Sequence, residues 1–157
     1  MSTTDTSTTK QILEKAAAYR EETARILSEL VQIKSYSGEE KDVCLRLEQM
    51  CRDYGFDEVR IDGLGSVVAR IGSGPKSIAF DAHVDTVEVG DPSQWEKDPF
   101  SGEIADGLVH GRGAADQKGG AAAMLTAGRI LRELGYDGEY TVYFTFTVME
   151  EDCDGMC

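Results

Sequence analysis

No apolar run in this sequence approaches the roughly 20 residues that a membrane-crossing helix needs. The opening stretch MSTTDTSTTK has no hydrophobic segment behind a basic start, which argues against a secretory leader. It also lacks the arginine-rich pattern of a mitochondrial presequence. Basic residues are scarce: 16 Lys and Arg stand against 29 Asp and Glu, a net charge of -13 that leaves no basic face for nucleic acid. Cysteines number four, at 44, 51, 153 and 157, and no second Cys/His pair has the spacing that would make Cys153 and Cys157 half of a zinc finger. With no export signal they read as reduced thiols in a cytoplasm. What is present suffices for a folded domain. A 41% hydrophobic and 8% aromatic content excludes a disordered chain, a collagen-like repeat and a small disulfide knot.

Residues 1–9 are Ser/Thr-rich and read as a disordered N-terminus; residues 10–157 read as one domain. Ile12, Ala16, Tyr19, Ile26, Leu30 and Ile33 recur at helical spacings and predict one helix from Lys10 to Ile33. Ser37 with Glu40 has the form of a capping box opening a second helix, whose inner face is Val43, Leu47, Met50 and Tyr54. Short strands follow at Glu58–Ile61 and Ser66–Ile71, joined by a turn at Asp62–Gly65. Residues 77–83 form a further strand with Ile78, Phe80 and Ala82 on one face. Residues 88–116 lack periodicity and predict a long loop, a kind of segment that is usually functional. A helix from Lys118 to Leu134 opens on a thin Gly/Ala surface, and Tyr140–Met149 alternates as a strand. This order predicts an α/β fold, a mixed central sheet flanked by helices, with ligands at the carboxyl ends of the strands.

Three polar clusters fall where that rule points. His83 and Asp85 close one strand, Asp116 precedes the Gly/Ala-rich helix, and Glu150 and Glu151 close the last strand. A metal-binding histidine needs a partner for its second ring nitrogen, and a carboxylate two residues on can supply one. Taken alone, His83-Val84-Asp85 reads rather as a solvated strand end, and Asp116 rather as a helix N-cap. A Glu pair can divide its work, one carboxylate binding metal and the other accepting a proton from water. By itself such a pair is equally an acidic turn. Together, one His, one Asp and a Glu pair make a ligand set suited to zinc. The glycines of Gly111–Gly120 also suggest a phosphate loop, but Lys118 is followed by Gly119 rather than Ser or Thr.

The stretches Ala82-His83-Val84-Asp85-Thr86-Val87, Trp95 through Pro99-Phe100, Gly107-Leu108, Gly111-Arg112-Gly113-Ala114-Ala115-Asp116-Gln117-Lys118-Gly119 and Met149-Glu150-Glu151 occur in that order. Jointly they resemble the dinuclear zinc amidohydrolases and exopeptidases, which include acetylornithine deacetylase, succinyl-diaminopimelate desuccinylase, aminoacylases and glutamate carboxypeptidase. The ending Glu150 to Cys157 is most similar to a selenium-metabolism-linked hydrolase branch. The resemblance implies a zinc exopeptidase catalytic domain of the phosphorylase/hydrolase-like type, present in its N-terminal part. It implies two zinc ions, with cobalt or manganese as substitutes. His83 and Glu151 would each ligate one metal, Asp116 would bridge both, Asp85 would orient His83, and Glu150 would be the general base. The substrate would be a small amide or peptide, with neither nucleic acid nor membrane as partner. The full-length form would be a homodimer through a lid domain absent here. A further carboxylate and a distal histidine that such sites need have no counterpart in this stretch, and His110 reads as a turn or strand residue. A non-catalytic α/β binding module that keeps these motifs is the alternative. The chain by itself is expected to be inactive and prone to self-association.

Overall fold

A computed structural model describes residues 6–153 of the 157-residue chain. Its centre is a four-stranded sheet. The hairpin β1 (Glu58–Ile61) and β2 (Val67–Ile71) is closed by Asp62, whose Oδ1 accepts the N–H groups of Leu64, Gly65 and Ser66 at 2.9–3.0 Å. This is the turn the sequence predicts. Strands β3 (Lys76–His83) and β6 (Tyr140–Thr147) complete the sheet, in the order β1-β2-β6-β3. Strand β6 runs antiparallel to β2 and parallel to β3. The register places Ala69 beside Phe144 and Phe144 beside Phe80, so the period-two pattern of all three strands collects on one face.

The helices pack on that face, where Val67, Ala69, Ile71, Val142, Phe144 and Phe146 share a core with residues of three helices. Helix α2 (Arg20–Gln32) contributes Ile26 and Leu30; α3 (Lys41–Asp53) contributes Val43, Leu47 and Met50; α4 (Gly119–Glu133) contributes Ala121, Ala122 and Leu125. The thin surface of α4 does what its composition suggests. A Cβ at Gly128 would sit 2.1 Å from the Phe56 ring, so only glycine lets that ring in. The opposite face keeps Ser77, Ala79 and Asp81 exposed, with Tyr143, Thr145 and Thr147 half-buried.

Three expectations need correction. Thr6–Thr9 belong to helix α1 (Thr6–Ala18) rather than to a disordered N-terminus; residues 1–5 lie outside the described residues. The Ser/Thr run holds no Gly or Pro and extends a helix whose far end is tied to α4, where Lys15 and Tyr19 both bond Glu133 at 2.6 Å. The helix expected from Lys10 to Ile33 is two helices that meet at Tyr19. There Thr23 Oγ1 bonds the Tyr19 carbonyl at 2.9 Å, a back-bond that bends helices. Finally, Ser37 and Glu40 form no capping box: α3 begins at Lys41, and both side chains reach to the far end of the sheet.

Strand β3 is an edge of the sheet, and its exposed residues include Ile78 (40%) and Phe80 (47%). With Ile12 and Ala16 of α1, Met124 of α4 and Tyr140 they line an open apolar groove. The long segment after β3 is ordered. It holds a two-stranded ribbon, β4 (Ile104–Ala105) and β5 (Leu108–Val109), and Trp95, whose Nε1 donates to the Val89 carbonyl at 2.9 Å.

Candidate metal centre

Strand β3 ends on His83, whose ring is 3% exposed. Its Nδ1 lies 3.2 Å from the Asp85 carbonyl oxygen and 3.4 Å from Asp85 Oδ1. Its Nε2 faces the opposite way, 2.9 Å from Asp116 Oδ1 and 3.7 Å from Glu150 Oε2. Burial alone would push the imidazole pKa down. The hydrogen bond to Asp116, the Asp85 carbonyl, and the Asp85 and Glu150 carboxylates outweigh it and leave the pKa raised.

Asp85 is completely buried and does more than stand behind the histidine. Its Oδ1 accepts the Glu150 N–H at 3.1 Å, and its Oδ2 accepts the Glu151 N–H at 3.0 Å and the Ser37 hydroxyl at 2.7 Å. The carboxylate therefore ties the end of β3 to the end of β6. The contact to the His83 ring at hydrogen-bonding distance runs through Asp85's backbone carbonyl. Met149 takes a left-handed conformation, φ 60°, at the start of this turn, and its N–H is accepted by Glu40 Oε1 at 3.0 Å. Such a conformation costs a side-chain-bearing residue about 1–2 kcal/mol, so it persists only where neighbours enforce it. It is also what lets two adjacent glutamates serve one side of the sheet.

Asp116 sits in an irregular turn, residues 114–118, with φ -124° and ψ 101° and a cis peptide bond to Gln117. It is not the N-cap of α4; that position is Lys118. The turn is held from below by Lys118, which is 1% exposed and donates from Nζ to the carbonyls of Leu30 (2.9 Å) and Ile33 (2.7 Å) at the end of α2. Burial lowers its pKa to about 8. A cation at a helix C-terminus meets the last carbonyls and the negative end of the dipole, and here the Leu30 carbonyl accepts from Lys118 as well as from the Ile33 N–H. The sequence gives no sign of this, because both carbonyls lie more than 80 residues away. Gly111 and Gly113 prove to be packing residues. A Cβ on the first would lie 2.4 Å from Val31 Cγ1, and on the second 2.6 Å from Thr86 Cγ2. Close approach thus accounts for glycines that had suggested a phosphate loop.

His83, Asp116 and Glu151 each offer one ligand atom, and these atoms lie within 4.8 Å of one another. Glu150 flanks the group. His110, just after β5, gives its N–H to the Glu103 carbonyl and is not a member of the cluster. No Lys or Arg among the described residues pairs with Asp116, Glu150 or Glu151; the one ion-pair partner is the His83 ring. The nearby cation Lys118 is turned away to α2. A divalent cation fits this arrangement: one imidazole nitrogen and convergent carboxylates form a borderline-to-hard donor set, and the ring's second nitrogen is already held.

Comparison with known proteins agrees with this geometry. Residues 79–156 match the family described as Peptidase family M20/M25/M40. The chain is 47% identical over 148 residues to YgeY of Escherichia coli (strain K12), covering 94% of this chain and 37% of that protein. It is 39% identical over 131 residues to a succinyl-diaminopimelate desuccinylase of Cereibacter sphaeroides, covering 80% and 34%. Human carnosine dipeptidase 1 shares the fold at a TM-score of 0.81 and 23% identity, over 95% of this chain and 36% of that one. The chain thus spans about a third of the length of these relatives. By its fold, its ordered motifs and its matched residues, the chain belongs to peptidase family M20/M25/M40.

Proposed function

We propose that this chain is the part of a longer metal-dependent hydrolase that supplies the general base and three of the metal ligands for cleaving an amide bond. The substrate class is a small N-acyl amino acid or peptide. The observation that carries this reading is the convergence of His83, Asp116 and Glu151 within 4.8 Å, with Glu150 alongside. His83 Nε2 and Glu151 would each hold one of two zinc ions, cobalt or manganese being workable substitutes, and Asp116 would bridge them. Bound metal supplies Lewis acidity toward a water molecule and toward the amide carbonyl.

The protein's own residues do the rest. Asp85 keeps His83 Nδ1 occupied through its carbonyl, so that Nε2 points into the site. Glu150, with its side chain 59% exposed, is open to water and substrate. It would take the proton from the attacking water and return it to the leaving nitrogen. Asp85 carboxylate oxygens hold the N–H groups of both glutamates, so base and ligand move as one unit. The ending Glu150–Cys157 supports a place near selenium-metabolism-linked hydrolases. A cytoplasmic setting is supported by free Cys44, Cys51 and Cys153, and a homodimeric full-length form by the family resemblance.

The test compares Glu150→Gln with Glu151→Gln in the full-length protein, measuring zinc content and turnover on a panel of N-acyl amino acids and dipeptides. Glu150→Gln should keep its zinc and lose about 10²–10⁴ of turnover. Glu151→Gln should lose zinc first. Equal zinc loss in both variants would overturn the division of roles, and a zinc-loaded wild type that cleaves no member of the panel would overturn the function.

A further inference from the structure

The loop before α3 carries Ser37 and Glu40, which the mechanism above does not use. Beyond Thr147, where β6 ends, four successive backbone N–H groups turn to side chains for acceptors. Val148 donates to Ser66 Oγ at 3.3 Å, Met149 to Glu40 Oε1 at 3.0 Å, and Glu150 and Glu151 to the two oxygens of Asp85. Glu40 is 6% exposed, and its Oε1 also accepts the Gly38 N–H at 2.9 Å. Ser37 Oγ donates to Asp85 Oδ2 at 2.7 Å. One short loop therefore grips the turn twice, at Met149 directly and at Glu151 through Asp85.

Met149 is the hinge of that turn. Its left-handed backbone sets the direction of the two residues that follow. Released from Glu40, a methionine would relax to the ordinary region of backbone space, and the peptide carrying Glu150 would rotate. Sequence places Glu40 and Met149 109 residues apart, and the carboxylate bridges them.

We propose that Glu40, assisted by Ser37, is a positioning residue for the hydrolysis: it locks Met149 in its left-handed conformation and thereby aims Glu150 and Glu151 at the His83–Asp116 site. The proposal rests on the amide-hydrolase reading, but its first readout does not. In the full-length protein, Glu40→Ala should raise backbone amide exchange at Met149, Glu150 and Glu151 by at least tenfold while the core strands β2 and β6 keep their protection. Zinc affinity, measured by chelator competition, should fall about 10–100-fold. On any substrate the wild type cleaves, kcat should fall at least tenfold with KM changed less than threefold. Glu40→Gln retains an oxygen that can accept from Met149 and should recover most of both losses. Ser37→Ala leaves Asp85 its two backbone donors and should give the same pattern at a smaller size, which keeps the test decisive if Glu40→Ala fails to fold. Unchanged exchange at Met149 in a folded Glu40→Ala protein, or equal loss in Glu40→Ala and Glu40→Gln, would overturn the proposal. A wild type without turnover would count against the hydrolase reading alone, since exchange and zinc affinity would still report on the clamp.

Discussion

The two ends of strand β3 live in opposite environments. At its carboxyl end, His83, Asp85, Glu40 and Lys118 are all nearly or fully buried, and each has a defined hydrogen-bond partner. Along its body, Ile78 and Phe80 are apolar and exposed beside an open groove. Burying polar groups is costly and leaving apolar area in water is costly, so a protein normally does neither without a reason. At the carboxyl end these four side chains are each partnered within the protein, although the buried Thr86 hydroxyl beside them is not. The contrast teaches that the candidate ligands are brought together within this stretch of chain, whereas none of the described residues covers the apolar flank.

The sharpest way to break the comparison is Asp85→Ala. It would strand the N–H groups of Glu150 and Glu151 and the Ser37 hydroxyl in a buried place. We expect a stability loss of about 2–4 kcal/mol, from denaturant unfolding, and zinc affinity at least tenfold weaker by chelator competition. Lys118→Met keeps the stem and removes the cation from two carbonyls. The expected loss is about 1–3 kcal/mol in the same unfolding measurement, with Lys118→Arg recovering little because the space is closed. On the flank the prediction reverses. Ile78→Lys with Phe80→Lys should cost the 157-residue chain less than Asp85→Ala does, about 1–2 kcal/mol, because both side chains are partly in water although the Phe80 ring stacks on Phe144. It should reduce self-association in sedimentation. An Asp85→Ala effect no larger than the flank effect would erase the distinction.

The smallest expected effect concerns α1. Glu133 is held at a pKa of about 2 by the hydrogen bonds from Lys15 and then Tyr19, with Arg129 adding to them. Its folded pKa lies below the unfolded value, so the contribution to stability is present above about pH 4.5 and is lost as pH falls toward 2. Amide protection of α1 should therefore fade over that interval, while protection in β2 and β6 outlasts it. A uniform loss across helix and sheet would show that Glu133 does not hold α1 separately.

Much of this fold is legible in the sequence because its causes are local. Asp62 with two glycines close behind it makes a turn, and the alternation from Tyr140 makes a strand, whatever lies elsewhere. The candidate ligands His83, Asp116 and Glu151 are legible because two of them close strands and the third precedes a helix. What the sequence conceals is where side chains go once distant segments meet. Ser37 and Glu40 have the spacing of a capping box, but acceptors are needed more at the buried end of β6 than at the start of α3, where water can serve. Lys118 is legible only as the start of a helix, because nothing near it in sequence reveals the carbonyls of Leu30 and Ile33. The break at Tyr19 is equally silent, since both helices continue one apolar period.

The position of β6 has a consequence in time. Among the described residues it is the last strand, yet it lies between β2 and β3, which are not neighbours without it. During synthesis, the ribosome must travel from His83 to beyond Thr147 before β3 finds a partner and β2 gains one besides β1. At about 5–20 residues per second that wait is roughly 3–13 s. Throughout it, β2 and β3 present unpaired edges, and the turn that carries Glu150 and Glu151 does not yet exist. The buried bonds between Asp85 and the Glu150 and Glu151 N–H groups therefore form late, and any nascent chain halted within α4 holds His83 and Asp85 without them.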